Sequence, residues 1–482
     1  MALPARGGCA APPQPISAAE LASFRALDVA NLAARGPSWV PMRALEGDGA
    51  AVAAGSGQCV ARTRSGIVRD AAGRCIDLGV ADTVAPAADG AHGHTPLQLW
   101  LAPAALRAAP EPYLVERASA LSAALSARQF PSACAAAGRV FYMHELPEVG
   151  FGSIIEYAAM FLGRAQTIDA QLRLGERSSV AWTSASFCGA RRSLACYFNL
   201  TSCCAPLVRE ADRRPLVLPR RRDPINIAVA GWHDLGGAWA AAQLVGFLFD
   251  RLQPRAREAI AARRATARFP PQPAAPWREA ASARPLVIGM HIRRGDSCHA
   301  GRFCPANLTH SYFAAAARLR ARYGANRLLL ATDDRVAARL CRGGALGFDC
   351  STQTIRREKF ESATFIEHRV ARHDEGELSG AVVALDALAD IDMLADADMH
   401  VLVLRSCLSR VAYALSLARK GRPSPLISLE APWAPHHAKR ALAGQRVGRG
   451  GGRHRPKFLP PTHSASEAEP NEFSLRKTRA QV

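Results

Sequence analysis

The stretch Pro285-Leu-Val-Ile-Gly-Met-His291-Ile-Arg293-Arg294-Gly295-Asp296 decides how this chain folds. A short apolar run ends abruptly in a histidine, two arginines, a glycine and an aspartate. Apolar runs of this length, bounded by Pro and Gly, mark buried strands of a parallel sheet. In open α/β sheets, ligands bind just beyond the carboxyl ends of the strands. Paired guanidiniums placed there suit a phosphate, because the planar fork donates two parallel charge-assisted hydrogen bonds. The segment reads as the floor of a nucleotide diphosphate site. A salt-bridged strand end without a ligand is the alternative. The tripeptide Arg294-Gly-Asp296 also matches an adhesion motif, but it follows directly on an apolar strand rather than sitting in an exposed loop.

Outward from this strand the pattern alternates. It predicts a strand at 285–291, a helix at 311–322, a strand at 327–331, helices at 335–342 and 379–395, a strand at 399–404 and a helix at 407–419. Such alternation predicts a doubly wound parallel sheet. A second α/β unit lies upstream. Arg139-Val-Phe-Tyr-Met143 reads as a strand, and Ile154, Ile155, Ala158, Phe161 and Leu162 then recur at helical spacing. A short strand at Gln171–Leu174 and an amphipathic helix from Trp239 to Leu252 complete it. Phe269-Pro-Pro-Gln-Pro-Ala-Ala-Pro276 reads as a linker or long surface loop. The expected organisation is therefore a partly ordered, partly helical region over 1–135, an α/β domain over 136–275, a Rossmann-like domain over 284–432 and a disordered basic tail over 433–482. The two α/β domains would face a cleft. Within the first region, Ser17 to Leu32 and Ala104 to Ala127 read as helical pieces.

The 482 residues suffice for two or three domains, and the 49% hydrophobic content is ordinary for a globular protein. The net charge of +20 raises the question of nucleic acid. From Trp433 to Val482, however, ten Lys and Arg stand against three Glu, which accounts for +7 of the total. No interleaved aromatic ladder accompanies this tail, and a nucleic-acid partner is not expected. Thirteen cysteines are many for a reduced compartment. Cys188, Cys196, Cys203 and Cys204 lie close together, as do Cys298 with Cys304 and Cys341 with Cys350. None forms a zinc-type CxxC…CxxC pattern. Small disulfide loops are expected instead, Cys298–Cys304 among them. Two glycosylation sequons, Asn199-Leu-Thr201 and Asn307-Leu-Thr309, point with the cysteines to the lumen of the Golgi or ER. The chain shows no signal peptide and no run of 18 apolar residues. Either an anchor precedes Met1 or the protein stays inside the cell.

Three further clusters carry chemistry. Leu328-Leu-Leu-Ala-Thr-Asp333-Asp334 ends an apolar strand in two carboxylates. They could bind a metal, or Asp334 could cap the following helix. Asp390-Ile-Asp392-Met-Leu-Ala-Asp396-Ala-Asp398 carries four acids that do not share one helical face, so some read as plain surface charges. Arg405-Ser406 follows at a strand-to-helix turn, where N–H groups and a hydroxyl suit phosphate oxygens. Gly150-Phe-Gly152-Ser153 is a glycine-rich helix start, equally readable as a simple turn.

Taken in order, Gly289-Met-His-Ile-Arg-Arg-Gly-Asp296, Leu330-Ala-Thr-Asp-Asp334 and Asp390-Ile-Asp…Ser406…Arg410-Val-Ala-Tyr413 resemble the three motifs of the α1,6-fucosyltransferase type. That type belongs to a superfamily that includes protein O-fucosyltransferases. The spacing of about 40 and then 60 residues fits, and the resemblance covers roughly residues 139–430. It implies a GT-B-like fold of two Rossmann-like domains, GDP-fucose as donor, transfer with inversion to a glycan or glycoprotein, and no metal or other cofactor. By motif position, Arg293 would hold the β-phosphate of GDP, and His291 and Asp390 would contact the guanine. Ser406 would contact the diphosphate, Asp333 and Asp334 would order the site, and Arg294 would serve structure or the acceptor side. Gly152 would lie near the donor.

The chain departs from the family where the base belongs. The α1,6 enzymes carry a lysine directly after the motif aspartate and a glutamate four residues later. Ser297 and Gly301 stand there in this chain, which leaves Asp296 and His299 as the nearest titratable substitutes. The family's C-terminal SH3-like domain has no counterpart. An O-fucosyltransferase or other GDP-sugar transferase, or a catalytically weak relative that only binds nucleotide sugar or glycan, are the alternative readings.

Overall fold

The structure, a computed structural model, describes residues 27–28, 67–70, 75–77, 97–101, 109–110, 112–132, 139–143, 149–167, 169–174, 180–190, 192–202, 214–215, 236–269, 284–299, 304–362, 364–370 and 376–429, with single residues at 103, 106 and 232. The linker at 270–283, the tail beyond 429 and Cys203 and Cys204 lie outside the described residues. Of the helical piece expected over 17–32, the described part is a strand. The described residues all fall in one compact unit.

Among the described residues three sheets are present. A small antiparallel one joins β1 (Leu27–Asp28), β2 (Ile67–Asp70) and β3 (Cys75–Asp77). The six-stranded sheet that decides the architecture contains β4 (Leu97–Leu99), β8 (Val287–Ile292), β9 (Arg327–Thr332), β10 (Asp349–Thr352), β11 (Met399–Leu402) and β12 (Leu426–Ser428), in the order β10-β9-β8-β11-β12-β4. All its pairs are parallel except β12 with β4. A third, parallel sheet has the order β6-β5-β7, with β5 at Arg139–Met143, β6 at Ala170–Leu174 and β7 at Arg214–Pro215.

The helices, in chain order, are α1 (Pro112–Gln129), α2 (Phe151–Thr167), α3 (Gly236–Asp250), α4 (Pro254–Thr266), α5 (Gly295–His299), α6 (Ala314–Tyr323), α7 (Arg335–Arg342), α8 (Ile366–Val370), α9 (Gly380–Asp396) and α10 (Cys407–Lys420). The mixed α/β reading holds, and both main sheets are parallel apart from the β4 edge of the larger one. The expected N-terminal region contributes more than a lead-in, because β4 closes the edge of the large sheet and α1 packs on β6. Helix α4 was not foreseen. Arginine-rich and without a clear apolar stripe, it is stabilised by packing on α9 rather than by an amphipathic pattern.

Strand β8 is buried along its whole length. Successive side chains point to opposite faces. Ile288, Met290 and Ile292 join a core with Leu319, Tyr312 and Leu330 under α6, while Val287 joins the larger core that α2, α3, α4, α9 and α10 share. The chain runs β8, β9, β10 toward one edge, then returns to place β11 on the other side of β8. Strand order therefore reverses between β8 and β11, and crevices for ligands open at such switch points.

Among the described residues, three disulfides link Cys188–Cys196, Cys298–Cys304 and Cys341–Cys350, with Cα–Cα distances of 5.0, 5.3 and 5.3 Å. Cys298–Cys304 is the expected loop, Cys341–Cys350 joins the other close couple, and Cys188–Cys196 picks one pair from the group of four. No described helix is long and apolar enough to cross a membrane.

Candidate functional site at the carboxyl edge of the large sheet

Residues 293–296 and 333–334 follow directly on the carboxyl ends of β8 and β9, and 405–407 follow β11 after two intervening residues, on the other side of β8. Arg293 binds two carboxylates, Asp333 and Asp296, one at each terminal nitrogen. Its side chain keeps 21% of its surface exposed, and a guanidinium has five N–H donors, so both partners leave donors over. Burial works to lower the Arg293 pKa, but Asp333 and Asp296 outweigh it, and the cation is held firmly. Burial raises the Asp333 pKa against the pull of Arg293.

The remaining oxygens are also employed. Asp333 Oδ1 accepts the Arg294 N–H at 2.8 Å, and Asp296 Oδ2 accepts the Ile366 N–H at 2.8 Å. The backbone bends at Gly295 with φ +22°, and a Cβ there would lie 2.8 Å from Asp333 Oδ2. Only glycine combines that conformation with so close an approach.

Asp334 caps α7, accepting the Ala337 N–H at 2.7 Å, and pairs with Arg294 at 3.1 Å. Of the two readings of Asp334, the helix cap is the one whose hydrogen bond is present. Arg294 also reaches Cys304 Sγ at 3.5 Å, so the Cys298–Cys304 loop rests on the second motif arginine.

His291, 4% exposed, exchanges a 2.7 Å hydrogen bond with Ser409 of α10 across the switch point. Burial, with Arg293 adding to it, holds its pKa down at about 3, so the ring is neutral. Asp390 accepts from Gln353 Nε2 at 2.5 Å. Burial lifts its carboxyl to about 7, against the opposing pull of Gln353 and Arg357. Ser406 is the N-cap residue of α10, and its side chain makes no capping bond.

Several expectations need correction. Asp296 is 1% exposed with both oxygens committed, so it positions Arg293 and α8 rather than accepting a proton. Gly152 has a packing role: a Cβ there would lie 2.5 Å from the Leu408 backbone nitrogen, so the residue lets α2 lie against α10. Asp392, Asp396 and Asp398 are not plain surface charges. Asp392 pairs with Arg264 and Arg419 at 2.5 Å each, Asp396 with the same two at 2.8 and 2.6 Å, and Asp398 with Arg284 at 2.5 Å. Arg410 grips Glu156 of α2 through two bonds of 2.6 and 2.9 Å. The His299 side chain and Gly301 lie outside the described residues.

Two residues that carry no motif in the sequence stand at this edge. Arg357, 3% exposed, donates to the Thr332 carbonyl and the Thr352 hydroxyl and acts electrostatically on Asp390 and Asp333. Glu367, at the start of α8, acts on Arg293 and Asp296. Tertiary packing alone brings them here.

No family model and no curated protein matches the chain. Among solved structures, it is similar to NodZ α1,6-fucosyltransferase soaked with GDP-fucose, at 15% identity and a TM-score of 0.33, covering 61% of this chain and 99% of that one. It is also similar to NodZ α1,6-fucosyltransferase co-crystallised with GDP, at 15% identity and a TM-score of 0.30, covering 57% and 91%. With identity and superposition this low, what the chain does has to be read from its own residues.

Proposed function

We propose that the chain is a glycosyltransferase that transfers fucose from GDP-fucose to a glycan or glycoprotein with inversion. The supporting observation is the convergence of Arg293, Asp333 and Ser406, from three separate motifs, on the carboxyl edge at the β8/β11 switch point. In this reading the 284–432 part holds the donor, the 136–275 part faces the acceptor on a GT-B-like plan, and the reaction runs in the Golgi or ER lumen without a metal.

Breaking the sugar–phosphate bond develops negative charge on GDP. A guanidinium fixed beforehand stabilises that charge without reorganising, and Asp333 and Asp296 fix Arg293. The α10 N-terminus with Ser406 adds N–H groups for the diphosphate. Asp390 suits guanine, because a carboxylate accepts from both N1–H and the exocyclic amine.

A second reading, a relative that binds the donor but turns over poorly, draws support from the same cluster. Arg293 and Arg294 already face Asp296, Asp333 and Asp334, which leaves little net positive charge for a diphosphate. Calorimetry with GDP, followed by GDP release from GDP-fucose over an array of glycans and peptides, separates the two. Binding with release supports transfer, binding alone supports the weak relative, and absence of binding removes both.

A further inference from the structure

Asp390 has a neighbour that belongs to none of the motifs. Gln353 is the first residue beyond the carboxyl end of β10, and it is 1% exposed. Resting on the GDP-fucose reading, we propose that Gln353 is the positioning residue of the base subsite. It clamps the Asp390 carboxylate in the orientation that accepts N1–H and the exocyclic amine of guanine.

The clamp is made of hydrogen bonds. Gln353 Nε2 donates to the Asp386 backbone carbonyl at 2.9 Å and to Asp390 Oδ1 at 2.5 Å. Asp386 and Asp390 stand one turn apart on α9, so the amide joins a helix turn to the side chain that follows it. A backbone carbonyl only accepts, so the amide nitrogen must be the atom that faces α9. The main chain of Gln353 is held as well. Arg357 donates to its carbonyl at 2.9 Å, to the Thr352 hydroxyl at 2.9 Å and to the Thr332 carbonyl at 3.1 Å. Thr332 directly precedes Asp333, the partner of Arg293. A path of bonded groups therefore runs from the phosphate-side arginine to the base-side carboxylate.

Two oxygens show what the amide is for. Gln353 Oε1 is buried without a hydrogen bond among the described residues. Such an orphan is costly, and an apolar side chain of the same length would avoid it. The donor to Asp390 is what an apolar side chain could not supply. The second oxygen of Asp390 takes no hydrogen bond among the described residues, and Asp390 is only half-buried, so that oxygen stays open to a ligand. Oδ1 keeps one lone pair beside the Gln353 bond, which gives guanine two acceptors.

The surrounding charges leave Gln353 a decisive part. Gln353 and Arg357 favour the ionised carboxyl, while burial, Asp386 and Asp333 oppose it. Asp386 is itself paired with Lys359 and with Arg263 of α4, and Asp333 with Arg293. Arg264 of α4 and Arg419 of α10 are bound to Asp392 and Asp396, and Glu156 of α2 to Arg410. From α8, Arg369 donates to the Lys359 carbonyl, and Glu367 and His368 act on each other. His291 of β8 and His400 of β11 are neutral.

A pH series separates a clamp from simple packing. GDP is titrated by calorimetry into full-length wild type, Gln353→Met and Asp390→Asn from pH 6 to 9, with melting curves at each pH. Methionine keeps the length and lacks the donors. Wild-type affinity is expected to rise with pH through about 7. In Gln353→Met the rise is expected about one to two pH units higher, the size of one hydrogen bond to a charged group. Binding is then roughly five- to fiftyfold weaker at pH 7 and returns to within about twofold of wild type at pH 9. Gln353→Glu, which sets acceptors against Asp390, is expected to shift further the same way, and it carries the test if Gln353→Met melts below the titration temperature. A loss equal at every pH, or an unshifted profile, overturns the clamp and leaves the donor reading intact. Wild-type binding without a pH response overturns the clamp together with the role of Asp390. Wild type that binds no GDP at any pH overturns the donor reading as well.

Discussion

At the residue scale, two carboxyls with opposite demands set the behaviour of the edge. Asp390 is held near pH 7 by burial, so its neutral form is favoured in the fold. Its folded pKa exceeds the unfolded one, so the stability it contributes is present below the ordinary carboxylate value and is lost as pH rises through about 7. Asp390→Asn is therefore expected to melt above wild type at pH 8, and by a smaller margin at pH 5, by calorimetric scanning. Guanine recognition runs the other way, since N1–H and the amine need the ionised carboxylate. GDP affinity is expected to fall as pH drops from 8 to 6 in wild type, and to be weak and flat in Asp390→Asn. An equal pH response in both proteins excludes Asp390 from the base site. Arg293 with Asp296, and separately Asp333 with Asp334, were legible as charged strand ends, because charge at the end of an apolar strand is tolerated only where it meets a ligand or an opposite charge. Their mutual grip was not legible, since it depends on how β8 and β9 align. Glu367 carries no local signal at all.

Among the elements, helix packing explains most of what the motifs do beyond the ligand. Gly152 lets α2 touch the first turn of α10, and Gly246 brings α3 within reach of Ala418, whose Cβ would be 2.9 Å away. Gly152→Ala is expected to cost about 1–3 kcal/mol by overpacking, read from urea unfolding. It would also displace Ser406, so GDP affinity should drop with it. Unchanged stability would mean that α10 can shift freely. The acids at the end of α9 tie it to α4 and α10 through Arg264 and Arg419. Arg264→Ala takes one of two arginine partners from each of two part-buried carboxylates, at an expected cost of about 1–3 kcal/mol. Helices α7, α9 and α10 could be read closely from their periodicity. Helix α4 could not, because its arginines mask its buried Ala256 and Ile260. Strands β10 and β12, at four and three residues, are too short for a period-2 signal.

For the whole molecule, the alternation of strands and helices foretold parallel α/β architecture, and the cysteine spacing foretold small disulfide loops, Cys298–Cys304 by name. Protein from its native source is expected to show the six disulfide-linked cysteines protected from alkylation until reduced, with Cys407 the free thiol among the described residues. Burial pushes that thiol up to about 11, so it should react slowly even so. The edge strand β4 escaped notice because its antiparallel pairing with β12 spans more than three hundred residues. All of this bears on one claim, that the β8/β11 switch point holds a guanosine diphosphate against Arg293. Isothermal titration of GDP into wild type and Arg293→Lys, with melting curves on both, tests it most directly. Lysine retains the charge beside Asp333 and Asp296 but loses the planar fork. The account predicts saturable one-to-one binding to wild type and about ten- to a hundredfold weaker binding to the variant at similar stability. Equal affinity in two folded proteins, or no binding by wild type, would contradict it.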